Sequence, residues 1–294
     1  MVLEFIFGSK QVRKHPIFLL FQSILLSSIS LWVASAVFPD SASIAAIAFL
    51  TIGLVPLLEK ILSDEEEEEE ENPGSTVGFL ARHSDIIAIY SWFFIGLIIS
   101  YSFWFYALPE TGGQACIGDF CISMPSKEKV FSEQAGTLTA IKGAFSISPQ
   151  SSRSDCFGSE RSVGKCTEYI FANNAVVLGL AILFCFLYGA GAIFLLAWNA
   201  SVIGVLLGQK AIELQGYHLG LTAGIGLVPH GVPEIISYFI GAIAGGIISA
   251  AIIRGKFQTK AFEQIAKDAI LLIIAAYVLL FVAALIEAMV IVGG

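Results

Sequence analysis

A histidine and a glutamate stand four residues apart in Leu227-Val-Pro-His-Gly-Val-Pro-Glu234, within an otherwise apolar chain. An imidazole and a carboxylate can bind a cation, pass a proton or pin a helix end. In lipid each costs free energy unless other protein groups satisfy it. Glu287, in Leu285-Ile-Glu-Ala288, is a second acid in apolar surroundings, and Asn173, Asn174, Asn199 and His218 could complete an interior site with it. Pro233 fits the first position of the helix that follows. That predicts His230 in the preceding turn and Glu234 in the first turn, where a carboxylate favours the helix dipole. Helix pinning and inter-helix hydrogen bonding are the plainest uses of these groups, ion or proton handling comes second, and catalysis comes last.

Signatures of enzymes are missing from the sequence. It has no His-Glu-x-x-His, no Gly-x-Ser-x-Gly and no Gly-x-x-x-x-Gly-Lys-Ser/Thr, and its aspartates fall only in loops or at the ends of apolar runs. The expectation is therefore a non-enzyme, with no catalytic residue, cofactor or metal. Cys116, Cys121, Cys156 and Cys166 share one polar segment, whereas Cys185 sits alone in an apolar run. With no histidine between 109 and 169, zinc is disfavoured and two disulfides on an oxidising face are expected. Pairing by proximity gives Cys116–Cys121 and Cys156–Cys166, although four cysteines permit three connectivities.

The elements that must hold these groups are membrane helices. The chain has 294 residues, 56% of them hydrophobic and 14% charged, with a mean hydropathy of +0.81. Soluble domains carry about 25% charged residues, so an all-α polytopic bundle in a lipid bilayer is the class that fits. The net charge of −8 equals the eight acids of Asp64–Glu71, which leaves the rest near neutral. No basic patch with interleaved aromatics is present, so nucleic-acid binding is not expected.

Spans are expected at about 17–38, 42–62, 86–108, 170–197, 233–253 and 268–292, after an interfacial segment at 1–15. Tyr90, Trp92, Tyr101, Trp104 and Tyr106 mark the two ends of the third as aromatic belts do. Two pieces at 200–211 and 217–229 are each too short to cross alone, so 199–232 reads as a broken or re-entrant segment. The total is six or seven spans. Residues 63–85 read as an acidic, solvated cytoplasmic linker, with the run 64–71 a candidate docking site for a partner. Residues 109–169 read as an extracellular cysteine loop, in which 137–147 could form part of a small hairpin. The domains are thus 1–62, 63–85, 86–108, 109–169 and a bundle at 170–294.

Lys10, Arg13 and Lys14 place the N-terminus in the cytoplasm of a multi-pass plasma-membrane protein and the cysteine loop outside. Small residues recur at a four-residue spacing in Gly204/Gly208, Gly220/Gly224 and Gly241/Gly245. Such stripes let helix backbones approach closely. They are expected to pack helices within the chain or between two copies, which makes a homodimer a reasonable extrapolation.

Four stretches carry a family likeness: Phe171-Ala-Asn-Asn174, Asn199-Ala-Ser-Val-Ile-Gly204, the Pro-His-Gly-x-x-Glu element at 229–234, and Ile286-Glu-Ala288. Over about 170–292 the chain resembles the stage II sporulation protein M family, as an archaeal-type member. It departs from the family pattern at Pro233 and in its large cysteine loop. In spore formers the family member helps assemble a complex that remodels peptidoglycan. The resemblance therefore implies a polytopic scaffold or assembly factor acting through helix packing and loop-bound partners. The alternative is a transporter or channel with a midplane ion or proton site at His230, Glu234 and Glu287, built on discontinuous helices.

Overall fold

The computed structural model describes residues 12, 14–71, 84–117, 120–143, 156, 162–188, 192–255, 257 and 259–293. The expected interfacial segment at 1–15, with Lys10 and Arg13, lies almost wholly outside them, as does 72–83 of the acidic linker.

The helices are α1 (Phe18–Val37), α2 (Ala42–Glu71), α3 (Ser84–Ala107), α4 (Lys127–Val130), α5 (Ser132–Gly143), α6 (Val163–Tyr188), α7 (Ala192–Glu213), α8 (Tyr217–Ala223), α9 (Val228–Ile253) and α10 (Lys260–Gly293). A 3₁₀ turn, Gly224–Leu227, joins α8 to α9. Among the described residues, six helical stretches are long and apolar enough to cross a membrane, and Ala42–Leu58 is a shorter apolar one. The protein is an all-α polytopic bundle.

Four local expectations change. The run 170–197 is not one span: α6 ends at Tyr188 and α7 begins at Ala192. Trp198-Asn199 lies inside α7. Segment 199–232 is therefore not a pair of half-helices. Its first part belongs to the 22-residue α7, and Tyr217–Ile253 is a continuous apolar stretch of 37 residues. Second, α2 continues through the acidic run to Glu71. Glutamate is a good helix former, and extending a helix already nucleated by packed residues costs little.

Third, residues 137–143 are helical within α5. The hairpin lies instead at β1 (Gly113–Ile117) and β2 (Phe120–Met124), where Cys116 pairs with Cys121 across the ladder. Fourth, Pro233 does not start a helix. Pro229 occupies the first turn of α9, and Pro233 lies inside it. Proline has no N–H, so the rung to the Pro229 carbonyl is absent while the helix carries on.

The chain divides into two compact units. Unit 1 comprises Met1–Leu54, Ile89–Phe145 and Leu196–Ile225. Here α1 lies against α3 through small and hydroxylated residues. A Cβ on Gly96 would fall 2.6 Å from the Leu20 carbonyl oxygen. Higher up, Ser27 Oγ donates to Ser100 Oγ at 2.7 Å and Trp104 Nε1 donates to Ser28 Oγ at 2.8 Å. Trp32 meets Trp104 edge to face, 5.5 Å between centroids. Partner numbers rise together, so α1 and α3 run parallel. On α7, a Cβ on Gly204 would lie 2.8 Å from Tyr101 Cβ, and one on Gly208 2.9 Å from Phe105 Cβ. By the same logic α7 also runs parallel to α3.

A cap covers the end of this unit. Phe131, Gln134 and Leu138 are buried while Ser132, Glu133 and Gly136 are exposed, the stripe of an amphipathic helix. Phe131 packs on Tyr101 and Phe105 at 6.3 and 5.3 Å. Ser43 Oγ donates to the Val130 carbonyl at 2.8 Å, and Gln134 Nε2 donates to Ser201 Oγ at 3.3 Å.

Unit 2 comprises Val55–Ala88, Ser146–Leu195 and Gly226–Gly294. It is built on α6, α9 and α10. A Cβ on Gly245 would lie 2.5 Å from the Ile182 carbonyl oxygen and 3.0 Å from Cys185 Cβ, and Gly241 abuts Leu178. The rising register makes α6 and α9 parallel. Against α10, Ile170 and Cys166 cluster with Ala284 and Ala288, while Gly179 meets Tyr277, so α10 runs antiparallel to α6. Cys185 is a buried free thiol whose Sγ accepts the Ala192 N–H at 3.4 Å.

Candidate functional site

The sequence element Pro229–Glu234 forms the start of α9, and this brings its two ionisable groups onto one helix. His230 and Glu234 are four residues apart and therefore share a face, contrary to the expectation that a turn separates them. Both are half-buried. Glu234 Oε1 accepts a hydrogen bond from Tyr238 Oη at 2.9 Å, one further turn along. Tyr238 is 2% exposed, so its ring walls the carboxylate on that side. His230 Nδ1 is buried without a hydrogen-bond partner among the described residues.

Glu287 comes from α10. It is half-buried and lies within electrostatic reach of both His230 and Glu234. A buried carboxylate costs less when a hydroxyl donates to it and a cationic group stands near. Tyr238 supplies the first to Glu234, and the His230 imidazole stands near Glu287. Among the described residues, no group of three or more His, Cys, Asp or Glu side chains is placed to hold a metal ion.

Depth follows from register. Gly241 abuts Leu178 and the helices are parallel, so Glu234 lies level with Phe171 to Asn174. Phe171 also meets Phe281 of α10 at 5.6 Å. That level is eight residues into α6, about 12 Å at 1.5 Å per residue. The cluster thus sits in the end third of α6, toward Cys166, and not at the middle of that helix. Asn173 Nδ2 donates to Asn174 Oδ1 at 3.3 Å, which places both amides at this level.

The other expected members lie elsewhere. Asn199, in α7, and His218, exposed at the start of α8, both belong to unit 1. The site in unit 2 is therefore His230, Glu234, Tyr238 and Glu287, with Asn173 and Asn174 level with it. Tyr238 was missed by sequence reasoning, although its i, i+4 spacing from Glu234 was the available signal. Gln134, Ser43 and Ser201, which seat the cap, gave no sequence signal of their own.

The glycine stripes are filled within the chain. Besides the contacts above, Gly220 would place a Cβ 2.5 Å from Ala211 Cβ, and Gly224 one 3.1 Å from Leu207 Cδ2. Disulfides join Cys116 to Cys121 and Cys156 to Cys166, as proximity suggested. The first pair is exposed on the hairpin, and the second is buried against α10.

The model of the family described as Stage II sporulation protein M matches residues 89–290. The chain belongs to the stage II sporulation protein M family. The match extends beyond the 170–292 likeness, taking in α3 and the whole cysteine-containing segment as well as the α9 element. No curated protein and no solved structure matches the chain.

Proposed function

We propose that this family member is a non-enzymatic scaffold or assembly factor of the plasma membrane, whose partners meet the cysteine-containing cap and the acidic end of α2. The observation that carries the reading is the seating of the cap. Hydrogen bonds from Ser43 and Gln134 and the packing of Phe131 fix α4 and α5 on the helices of unit 1, and a disulfide closes the hairpin that precedes them. A surface held this rigidly loses little entropy on binding.

The orientation that suits this role has seven crossings. Parallel α1, α3 and α7 require the chain to recross between each pair, and α2 and α6 are the apolar helices available for it. With Lys14 inside, the cap and disulfides stand outside, and the basic turn at Arg254 and Lys260 is cytoplasmic, in accord with the charge rule. Self-association as a homodimer would use the outward apolar residues of α10, such as Ile274 and Val278, since the glycine stripes are occupied. A photo-crosslinking residue at exposed Gln114 tests the reading. A discrete protein adduct in native membranes is expected, and unreacted monomer alone would count against a scaffold.

A second reading has its own observation, the convergence of His230, Glu234, Tyr238 and Glu287. In this reading unit 2 binds or passes a cation or proton. Glu234→Gln in proteoliposomes separates the two: lost flux with unchanged thermal unfolding supports transport, and a lowered unfolding temperature supports a helix-locking role.

A further inference from the structure

Unit 1 carries a cavity of about 520 Å³ lined by Pro39, Asp40, Thr111, Ser126, Glu128, Lys129 and Ser132. Its place in the fold sets its depth. Pro39 and Asp40 form the short turn after α1, and Thr111 follows the end of α3. These two parallel helices therefore end beside it. Trp32, Trp104 and Tyr106 lie in their last two turns, with the Trp32–Trp104 pair in contact, and aromatics of this kind mark the membrane interface. The cavity is thus at the level of lipid headgroups.

Its charges are of both signs and are unspent. Lys127 pairs with Glu110, Lys210 with Glu213 and Lys267 with Glu263. Among the described residues Asp40, Glu128 and Lys129 form no ion pair, although two carboxylates and an ammonium line the same cavity. Such a lining fits a ligand with a cationic and an anionic end. No aromatic ring lines it, and a quaternary ammonium is recognised chiefly by aromatic faces. A primary ammonium, which donates hydrogen bonds to carboxylates, suits Asp40 and Glu128. A phosphate suits Lys129 with the hydroxyls of Thr111 and Ser132. We infer that this cavity binds the phosphoethanolamine headgroup of a membrane lipid, the ammonium on Asp40 and Glu128 and the phosphate on Lys129.

The test uses the full chain in vesicles holding equal parts of phosphatidylethanolamine, phosphatidylcholine and phosphatidylglycerol. Lipids retained on release are counted by native mass spectrometry. The expected result is one phosphatidylethanolamine retained about tenfold over either competitor, the scale of one charge-assisted contact. Lys129→Glu should abolish that preference, and Asp40→Asn with Glu128→Gln should shift it toward phosphatidylglycerol. All three positions are exposed, so the variants are expected to fold, and an unchanged unfolding temperature verifies it. Equal retention of the three lipids, or a preference that survives both variants, overturns the site. Displacement of the lipid by soluble phosphoethanolamine at equal concentration would show the headgroup chemistry but overturn the membrane lipid as its source.

Discussion

The two units solve the same packing problem with different polar chemistry. In each, a glycine pair four residues apart lets two parallel helices approach closely: Gly204 and Gly208 against α3, Gly241 and Gly245 against α6. Unit 1 then adds neutral hydroxyl, indole and amide groups, some of them paired across helices, as in Ser27–Ser100, Ser28–Trp104 and Gln134–Ser201. The Gln22 amide, Tyr101 Oη and Gln134 Oε1 are buried without a hydrogen-bond partner among the described residues. Unit 2 instead adds ionisable groups, with Tyr238 on Glu234 and an unpartnered His230 Nδ1. Neutral networks of the first kind hold helices and a cap in place. Ionisable groups of the second kind cost more to bury.

Breaking each unit at its own seam gives the largest effects. Replacing both Cys156 and Cys166 by serine removes a buried cross-link against α10 and is expected to cost about 2–4 kcal/mol. The same change at Cys116 and Cys121, on an exposed hairpin with a loop of half the length, should cost less. Thermal unfolding in mild detergent ranks the two. Gly245→Ala puts a methyl against the Ile182 carbonyl and should lose about 1–3 kcal/mol, with Gly204→Ala similar in unit 1. Gly226→Ala, where nothing lies within 4 Å, is the control and should leave unfolding unchanged.

Smaller effects sharpen the contrast in polar chemistry. Tyr238→Phe strips Glu234 of its donor and should cost about 1–3 kcal/mol, the penalty for a buried group left unpaired. In unit 1, Ser201→Ala orphans the Gln134 amide and should cost roughly 1 kcal/mol. Gln134→Leu with Ser201→Ala removes both partners and should be close to neutral. If the paired change is as costly as Tyr238→Phe, the proposed difference between the units fails.

Much of this architecture could be read from the chain. The first span at 17–38 became α1 at Phe18–Val37, and the close cysteine spacing predicted both disulfides. Apolar run length and covalent reach are local properties, so sequence carries them. What sequence hid depended on tertiary context. Asn199 looked like a helix end, yet a polar residue can ride inside α7. Pro233 looked like a helix start, but Pro229 already filled that position. The cap helix was mistaken for strand because its buried stripe depends on Tyr101 and Ser201, far away in the chain. In the site itself, His230, Glu234 and Glu287 were legible as polar residues in apolar surroundings. Their grouping was expected as one alternative, but the level at which they meet was not legible, because it rests on the antiparallel register of α10.

Orientation decides whether the cap can face partners, and it is directly measurable. Single cysteines at Gly136, on the exposed face of α5, and at Gly255, in the turn after α9, can be labelled in sealed vesicles with a membrane-impermeant maleimide, the disulfides left intact and Cys185 replaced by alanine. With α6, α7 and the α8–α9 stretch each crossing once, the two positions must label from opposite sides, Gly136 from outside and Gly255 from inside. Labelling of both from the same side would contradict this topology, and the outward-facing cap with it.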